Sequence, residues 1–293
     1  MLMTVSKLSC CWRTALLHIS LVVFTVSAAE PVPVVFYSKM VENWLDSAPA
    51  EAEPVSFQAL RLLLQTDSLS PRFIQVSHQR AEKLTKNDSS GCLSGVLDLP
   101  ERRQRYSFSL PFTAVQGMRL YFNRQNPHAE RILALANQQQ TVSLSSILQQ
   151  NRALLIGVDK DRSYGETLDT LLSEPDKKRN VVFRHSGAQI GELWRMLEEG
   201  RVDVVLEYPF LMADKIAPST ISLALSEVPA IEMAYIACHK GRSGQAIIQR
   251  LNQAIKTHRF SQAYLDVHLS VVPAELQADY LQQYRQAMQS EDR

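Results

Sequence analysis

Short runs of β-branched and aromatic residues alternate with segments of helical period in two blocks along this chain, and that alternation restricts the fold to layered α/β architectures. In the first block Val34 to Tyr37 reads as a strand behind Pro31 and Pro33, and a Pro- and acid-rich loop follows from Ala48 to Pro54. Phe57, Leu60, Leu63 and Leu64 recur at helical spacing, Phe73 to Val76 is a second strand, Arg80 to Lys86 a short helix, and Cys92 to Leu97 a third strand. The second block opens with a strand at Leu154 to Val158. A helix faced by Leu168, Leu171 and Leu172 follows, with Ser163 and Glu166 at the Ser-x-x-Glu spacing of a capping box. Val181 to Arg184 is the next strand. A helix capped by Ser186 carries Ile190, Leu193, Trp194 and Leu197 and stops at Gly200, and Val202 to Leu206 is one more strand. Two blocks built on parallel sheets are expected.

Between the blocks the chain is extended from Tyr106 through Pro111 and again from Gly117 to Phe122, with helical pieces around Ile132, Leu133 and Leu135 and from Leu144 to Leu148. Ala234 to Ala237 reads as a returning strand. After Gly244 the chain is helical, first with Ile247, Ile248, Leu251 and Ile255 on one face, then, beyond Pro273, with Leu276, Tyr280, Leu281 and Tyr284. Such a terminal helical pair must cover an apolar surface, and the first block is the available one.

Composition sets the class. Of 293 residues, 45% are hydrophobic and 21% charged, with 10 Gly and 13 Pro, which excludes a disordered, collagenous or coiled-coil chain. Near-zero net charge (+1) provides no general attraction for nucleic acid or anionic lipid, so neither is an expected partner. Lys7 and Arg13 precede an apolar run from Ala15 to Val26 that ends in Ser27, Ala28 and Ala29, the pattern of a cleavable export signal over residues 1–29, with cleavage after Ala28 or Ala29. The run is about half the roughly 20 residues a spanning helix needs, so no membrane insertion is expected after cleavage. Removing it takes away two basic and no acidic residues and leaves a net charge of −1. It also removes Cys10 and Cys11, so that Cys92 and Cys238 remain as either one bridge or a buried reduced pair.

Catalytic patterns are missing. The chain has no G-x-S-x-G, H-E-x-x-H, C-x-x-C, phosphate loop or dinucleotide loop, and His78, His128, His185, His239, His258 and His268 lack ligand spacing, so no metal and no cofactor is expected.

One segment is more specific. Gly95 to Phe112 reads G-V-L-D-L-P-E-R-R-Q-R-Y-S-F-S-L-P-F and resembles the G-x-T-x-T-x-E-R segment, closing in F-S-x-P-Y, of the family 3 periplasmic solute-binding proteins. Leu197 to Leu206, L-E-E-G-R-V-D-V-V-L, is similar to the strand entry of that family's second lobe, and Tyr235 to Ile248 with Asn252 is similar to its return strand and helix. The resemblance implies a two-lobed type II periplasmic binding protein fold: a discontinuous lobe one from residues 30–113 and 235–293, with lobe two, 114–234, inserted. It implies crossings near Pro111 to Gly117 and Ile231 to Tyr235, and a ligand cleft that closes by hinge motion. It also implies that Cys92 and Cys238, on neighbouring strands of that fold, form a disulfide.

Candidate ligand residues follow. Arg102 falls on the family's arginine, whose planar fork meets a carboxylate in two charge-assisted bonds; the plainer reading is a surface cation in the cluster with Arg103 and Arg105. Ser163 and Tyr164, with Arg162 beside them, stand where a helix start presents free N–H groups to an anion, or simply form a cap. Tyr37, Tyr208 and Arg80 sit at or just beyond carboxyl ends of strands, where α/β sheets place their sites, although an aromatic there is ordinarily packing. The family's two threonines before the arginine are replaced by Leu97 and Leu99, and its ammonium-binding aspartate by Tyr208 with Glu207 adjacent, so a free α-amino acid in the usual pose is not expected. The reading is a periplasmic, monomeric, non-enzymatic binder of a small polar or anionic solute, serving an inner-membrane ABC permease or a sensor protein. The alternatives are a dehydratase-like enzyme on the same fold, or an interaction module whose cleft is filled by Leu97 and Leu99.

Overall fold

Two six-stranded sheets carry the molecule. The computed structural model describes residues 32–38, 54–65, 69–160, 162–184, 193–212, 215 and 217–290, so the expected export signal, the loop positions 48–53, and the helix start at Ser186 and Ile190 lie outside the described residues. The first sheet holds β1 (Val32–Ser38), β2 (Leu69–Gln75), β3 (Gly91–Val96), β4 (Tyr106–Phe108), β5 (Thr113–Gln116) and, from much later in the chain, β12 (Ile231–His239). Its order is β2-β1-β3-β12-β4, with β5 paired to the opening half of β12. The second sheet holds β6 (Arg119–Asn123), β7 (Thr141–Val142), β8 (Ile156–Asp159), β9 (Val181–Arg184), β10 (Val204–Glu207) and β11 (Thr220–Leu225), in the order β7-β11-β6-β10-β8-β9.

Neither sheet is wholly parallel, which corrects the expectation from the alternation. β1, β2 and β3 run parallel but β12 is antiparallel to β3 and to β4, while β8, β9 and β10 run parallel and β6 is antiparallel to β10 and β11. The reversed strands are those by which the chain passes between sheets. β5 and residues 231–234 of β12 form an antiparallel ribbon, Ile231 facing Gln116 and Ala234 facing Thr113. Gly117 ends this ribbon where a Cβ would stand 2.0 Å from the Pro229 carbonyl oxygen, so no other residue fits there without moving the backbone.

Strand periodicity explains how each sheet is covered. In β1 four successive residues are buried, as expected of a strand packed on both faces. Val34 and Phe36 join the core under α1 (Val55–Gln65) and α10 (Arg242–His258), whereas Val35 and Tyr37 join the core that contains Ala81 of α2 (His78–Asn87). Pro71 lies in β2, an edge strand, where a missing N–H costs no ladder bond. In the second sheet Leu120, Phe122, Val204 and Leu206 face a core closed by α4 (Ala129–Leu135), α5 (Leu144–Gln150) and α6 (Glu166–Ser173). Tyr121 and Val205 face Leu193 and Leu197 of α8 (Leu193–Glu198), with Trp194 packed at the edge and Gly200, at φ 64°, following the helix. Three single-turn helices, α3 (Pro100–Arg103), α7 (Pro175–Lys178) and α9 (Pro209–Met212), each open on proline.

Of the terminal helices expected to cover the first block, α10 does so. α11 (Gln262–Leu269) and α12 (Gln277–Ser290) instead build a core of Leu265, Tyr280, Tyr284 and Met288 around Ala114 of β5, in the crossing ribbon. Leu276 does not share it: that residue lies in a 3₁₀ turn before α12 and is 42% exposed. Cys92 and Cys238 are bonded across paired positions of β3 and β12 and are fully buried.

Candidate functional site

A cavity of about 250 Å³ lies where the two sheets meet. The carboxyl ends of parallel strands supply its walls: Tyr37 and Ser38 from β1, Ser94 to Leu97 from the end of β3 and the turn after it, Asp159 from β8, and Tyr208 just beyond β10. Phe57 of α1, His78 of α2 and Arg102 of α3 line it from the first-sheet side, Arg162, Ser163, Phe210 and Leu211 from the second, and Val115, Glu232 and Met233 of the crossing ribbon form part of the wall between. Of the residues singled out from the sequence, Tyr37, Arg102, Ser163 and Tyr208 line this cavity together; Tyr164 stands behind it, and Arg80 is exposed and not part of its lining. Arg80 falls in the first turn of α2, whose buried positions are Ala81 and Thr85, and the cavity side of that turn is taken by His78.

Each charged group has a defined surrounding. Arg102 is 8% exposed, donates to the Leu97 carbonyl at 3.3 Å and lies 3.6 Å from the Glu82 carboxylate, which His78 also approaches at 3.4 Å. The hydrogen bond with His78, against the opposing effect of burial, holds Glu82 below the usual carboxylate range. Arg162 donates to the fully buried Glu207 at 2.6 Å and lies over the rings of Tyr164 and Tyr208, at 5.2 and 4.9 Å. Asp159 accepts from Arg184 at 3.1 Å. The Tyr164 hydroxyl accepts the Asp159 backbone N–H at 2.7 Å, so Tyr164 positions the end of β8 and supports Arg162 rather than reaching the cavity.

The helix start near Ser163 differs from a capping box. α6 begins at Glu166, its N-cap is Gly165 at φ 88°, and the Ser163 hydroxyl donates to the carboxylate of Asp169 at 2.5 Å while the Tyr164 N–H donates to the same carboxylate at 2.8 Å. An acid from the helix itself already occupies the place an anion would take.

The hydroxyls of the two tyrosines lining the cavity hold their protons more tightly than a free phenol. Burial first, then the hydrogen bond to Asp88 at 2.7 Å, pushes Tyr37 up to about 12. Burial and the neighbouring Glu232 push Tyr208 well above its ordinary value. β10 ends at Glu207, so Glu207 turns inward to Arg162 while Tyr208 turns to the cavity.

Glu232 was not evident from the sequence. It is 8% exposed, lines the cavity from β12, and accepts the Met118 N–H at 3.3 Å, with the Tyr208 hydroxyl as its side-chain partner. Burial holds its carboxyl above the usual range, against the lowering effect of those two bonds and of Arg162. A single acid between Ile231 and Met233 in an apolar strand is the signal that marks it. Among the described residues, no cluster of three or more His, Cys, Asp or Glu could hold a metal ion.

No protein-family model matches the sequence, and no curated protein matches it. Solved structures match over most of the chain. A histidine kinase sensor domain with similarity to periplasmic binding proteins superposes with a TM-score of 0.60 at 13% identity, over 83% of this chain and 97% of that one. An ancestral arginine-binding protein bound to arginine gives 0.59 at 12% identity over 83% and 100%. An ancestral amino-acid-binding protein, described as a precursor of cyclohexadienyl dehydratase, gives 0.58 at 12% identity over 83% and 96%. The chain has the two-lobed α/β fold of the periplasmic binding proteins, and its structure is similar to those of amino-acid-binding members.

Proposed function

We propose that this chain is an exported solute-binding protein of the family 3 type that captures a small polar or anionic solute in the cavity between its lobes. The observation that carries the reading is the cavity itself, at strand carboxyl ends, with Arg102 entering from the first-sheet side and Arg162 from the second. Residues 30–113 and 235–293 make lobe one and residues 114–234 lobe two, so that β5 and the opening of β12 are the hinge. The solute passes to an inner-membrane ABC permease or to a sensor protein, and the protein acts in the periplasm as a monomer without catalysing a reaction. The neighbours support a solute-binding role; one of them is a sensor domain. Leu97 lines the cavity and Leu99 is buried, yet a volume of about 250 Å³ stays open, which argues against a cleft that has lost its ligand.

Mass spectrometry of small molecules released by denaturing the purified protein tests the reading directly. With the released ligand, calorimetry on Arg102→Ala should show a loss of about thirtyfold or more in Kd, since truncation removes charge-assisted bonds worth roughly 2–5 kcal/mol. Arg102→Lys should recover only part of this, because it lacks the planar fork. Arg103→Ala is the control: Arg103 is exposed and paired with Asp98, and its loss should cost far less. Equal effects of the two alanine variants would remove Arg102 from the site. A second reading, catalysis in the same cavity, is favoured by the placement of Glu232, a buried carboxyl group that lines the cavity and whose burial favours the protonated form a general acid needs. Conversion of the released compound by the protein would establish it.

A further inference from the structure

Resting on the solute-binding reading, the charges that line the cavity narrow what the ligand carries. Three of the four arrive with an oppositely charged protein partner: Arg102 with Glu82 at 3.6 Å, Arg162 with Glu207 at 2.6 Å, and Asp159 with Arg184 at 3.1 Å. The fourth, Glu232, is bonded to uncharged groups, the Met118 N–H and the Tyr208 hydroxyl, and the cation whose field reaches it, Arg162, is already committed to Glu207. Of these four groups Glu232 is the buried one without an ion pair of its own, since Arg162 acts on it only through its field, and the direction of its pKa agrees. The place where an anion would be received, at the start of α6, is filled by Asp169.

We propose that Glu232 is the seat of a protonated amine borne by the ligand, whose remaining body packs against Phe57, Leu97, Phe210 and Met233. A carboxylate elsewhere on the same ligand is compatible with this, since it would meet Arg102. The ammonium supplies the charge that Glu232 lacks, and Tyr208, standing beside Glu232, orients the carboxylate through its hydroxyl. A cavity of about 250 Å³ limits the ligand to metabolite size.

The test uses the full mature chain, unfolded and refolded to strip bound ligand, and three probes that share one apolar body: phenethylamine, phenylalanine and 3-phenylpropionate, with aliphatic counterparts of each. Calorimetry should show that probes with an amine bind and that Glu232→Gln weakens them at least tenfold, whereas the carboxylate-only probe is bound no tighter by the wild type than by the variant. Tyr208→Phe, which leaves Glu232 in place, should weaken the amine probes severalfold and serves if Glu232→Gln fails to fold. Binding of amines that is equal in wild type and variants, tightest binding of the carboxylate-only probe, or no binding by any amine overturns the proposal. The ligand released on denaturation separates this from the broader reading: a released compound without a basic nitrogen overturns the amine seat alone, and the absence of any ligand or probe binding overturns both.

Discussion

A carboxyl group taken out of water without a cation alters stability as well as binding, and Glu232 is the place in this protein where the two meet. Its pKa is raised in the folded state by burial. Below its unfolded value, roughly 4.3, both states hold the proton and the folded state incurs no penalty. As pH rises above that value the unfolded chain releases the proton more readily than the folded one, so stability contributed by the protonated form is lost until the folded group also ionises. Glu232→Gln removes this loss. Urea midpoints measured from pH 4 to pH 8 should therefore show the variant gaining on the ligand-free wild type as pH increases, with little difference at pH 4. A variant less stable than wild type across the whole range would mean that the carboxylate is a structural partner of Met118 N–H and Tyr208, and not a group held ready for a ligand.

At the scale of elements, α11 and α12 act on the crossing ribbon through tyrosines. The Tyr264 hydroxyl donates to the Phe112 carbonyl and the Tyr280 hydroxyl to the Ala114 carbonyl, both at the entry to β5, while Tyr284 donates to the Arg259 carbonyl at 2.8 Å. Tyr280→Phe leaves the Ala114 oxygen buried without that donor and should cost about 1–3 kcal/mol in chemical denaturation. A midpoint equal to wild type would show that the carbonyl finds another partner. The helical period of Leu276, Tyr280 and Tyr284 made this pair legible in the sequence, and the buried Tyr280 and Tyr284 lie on that face, but Leu276 fell outside it because Pro273 starts a 3₁₀ turn before the helix proper. Strand identity was legible for the same reason, since β-branched runs mark buried strands wherever they pair. Strand direction was not: β6 is antiparallel to both of its neighbours, β10 and β11, because of how the chain crosses between sheets, and nothing in its composition records that. At the site, the G-V-L-D-L-P-E-R segment placed Arg102 on the cavity, and the Ser-x-x-Glu spacing misplaced a helix start because Asp169, three residues beyond Glu166, competes for the same N–H groups. Glu232 escaped notice because its importance comes from a neighbour, Tyr208, 24 positions earlier and just beyond a strand of the other sheet.

For the molecule as a whole, the Cys92–Cys238 bridge has a consequence that its local geometry does not suggest. It joins residues 146 positions apart, and the enclosed chain includes the entire second sheet. In the unfolded state the bridge confines that long segment to a loop, and the chain-entropy argument assigns the restriction roughly 4–5 kcal/mol before any native-state strain is subtracted, with about 2–4 kcal/mol the usual outcome. In the folded state both sulfurs are buried in the core between β3 and β12, and neither cysteine lines the cavity. Replacing both cysteines by alanine should therefore lower the urea-derived stability by at least about 2 kcal/mol, including a small packing loss. It should leave the affinity for the released ligand within twofold of wild type when measured well below the new midpoint. Thiol titration of protein purified without reductant should find no free thiol at Cys92 or Cys238. Two free thiols there would show that the pair stays reduced, and a loss of affinity in the alanine variant would show that the bridge sets the cleft as well as the fold.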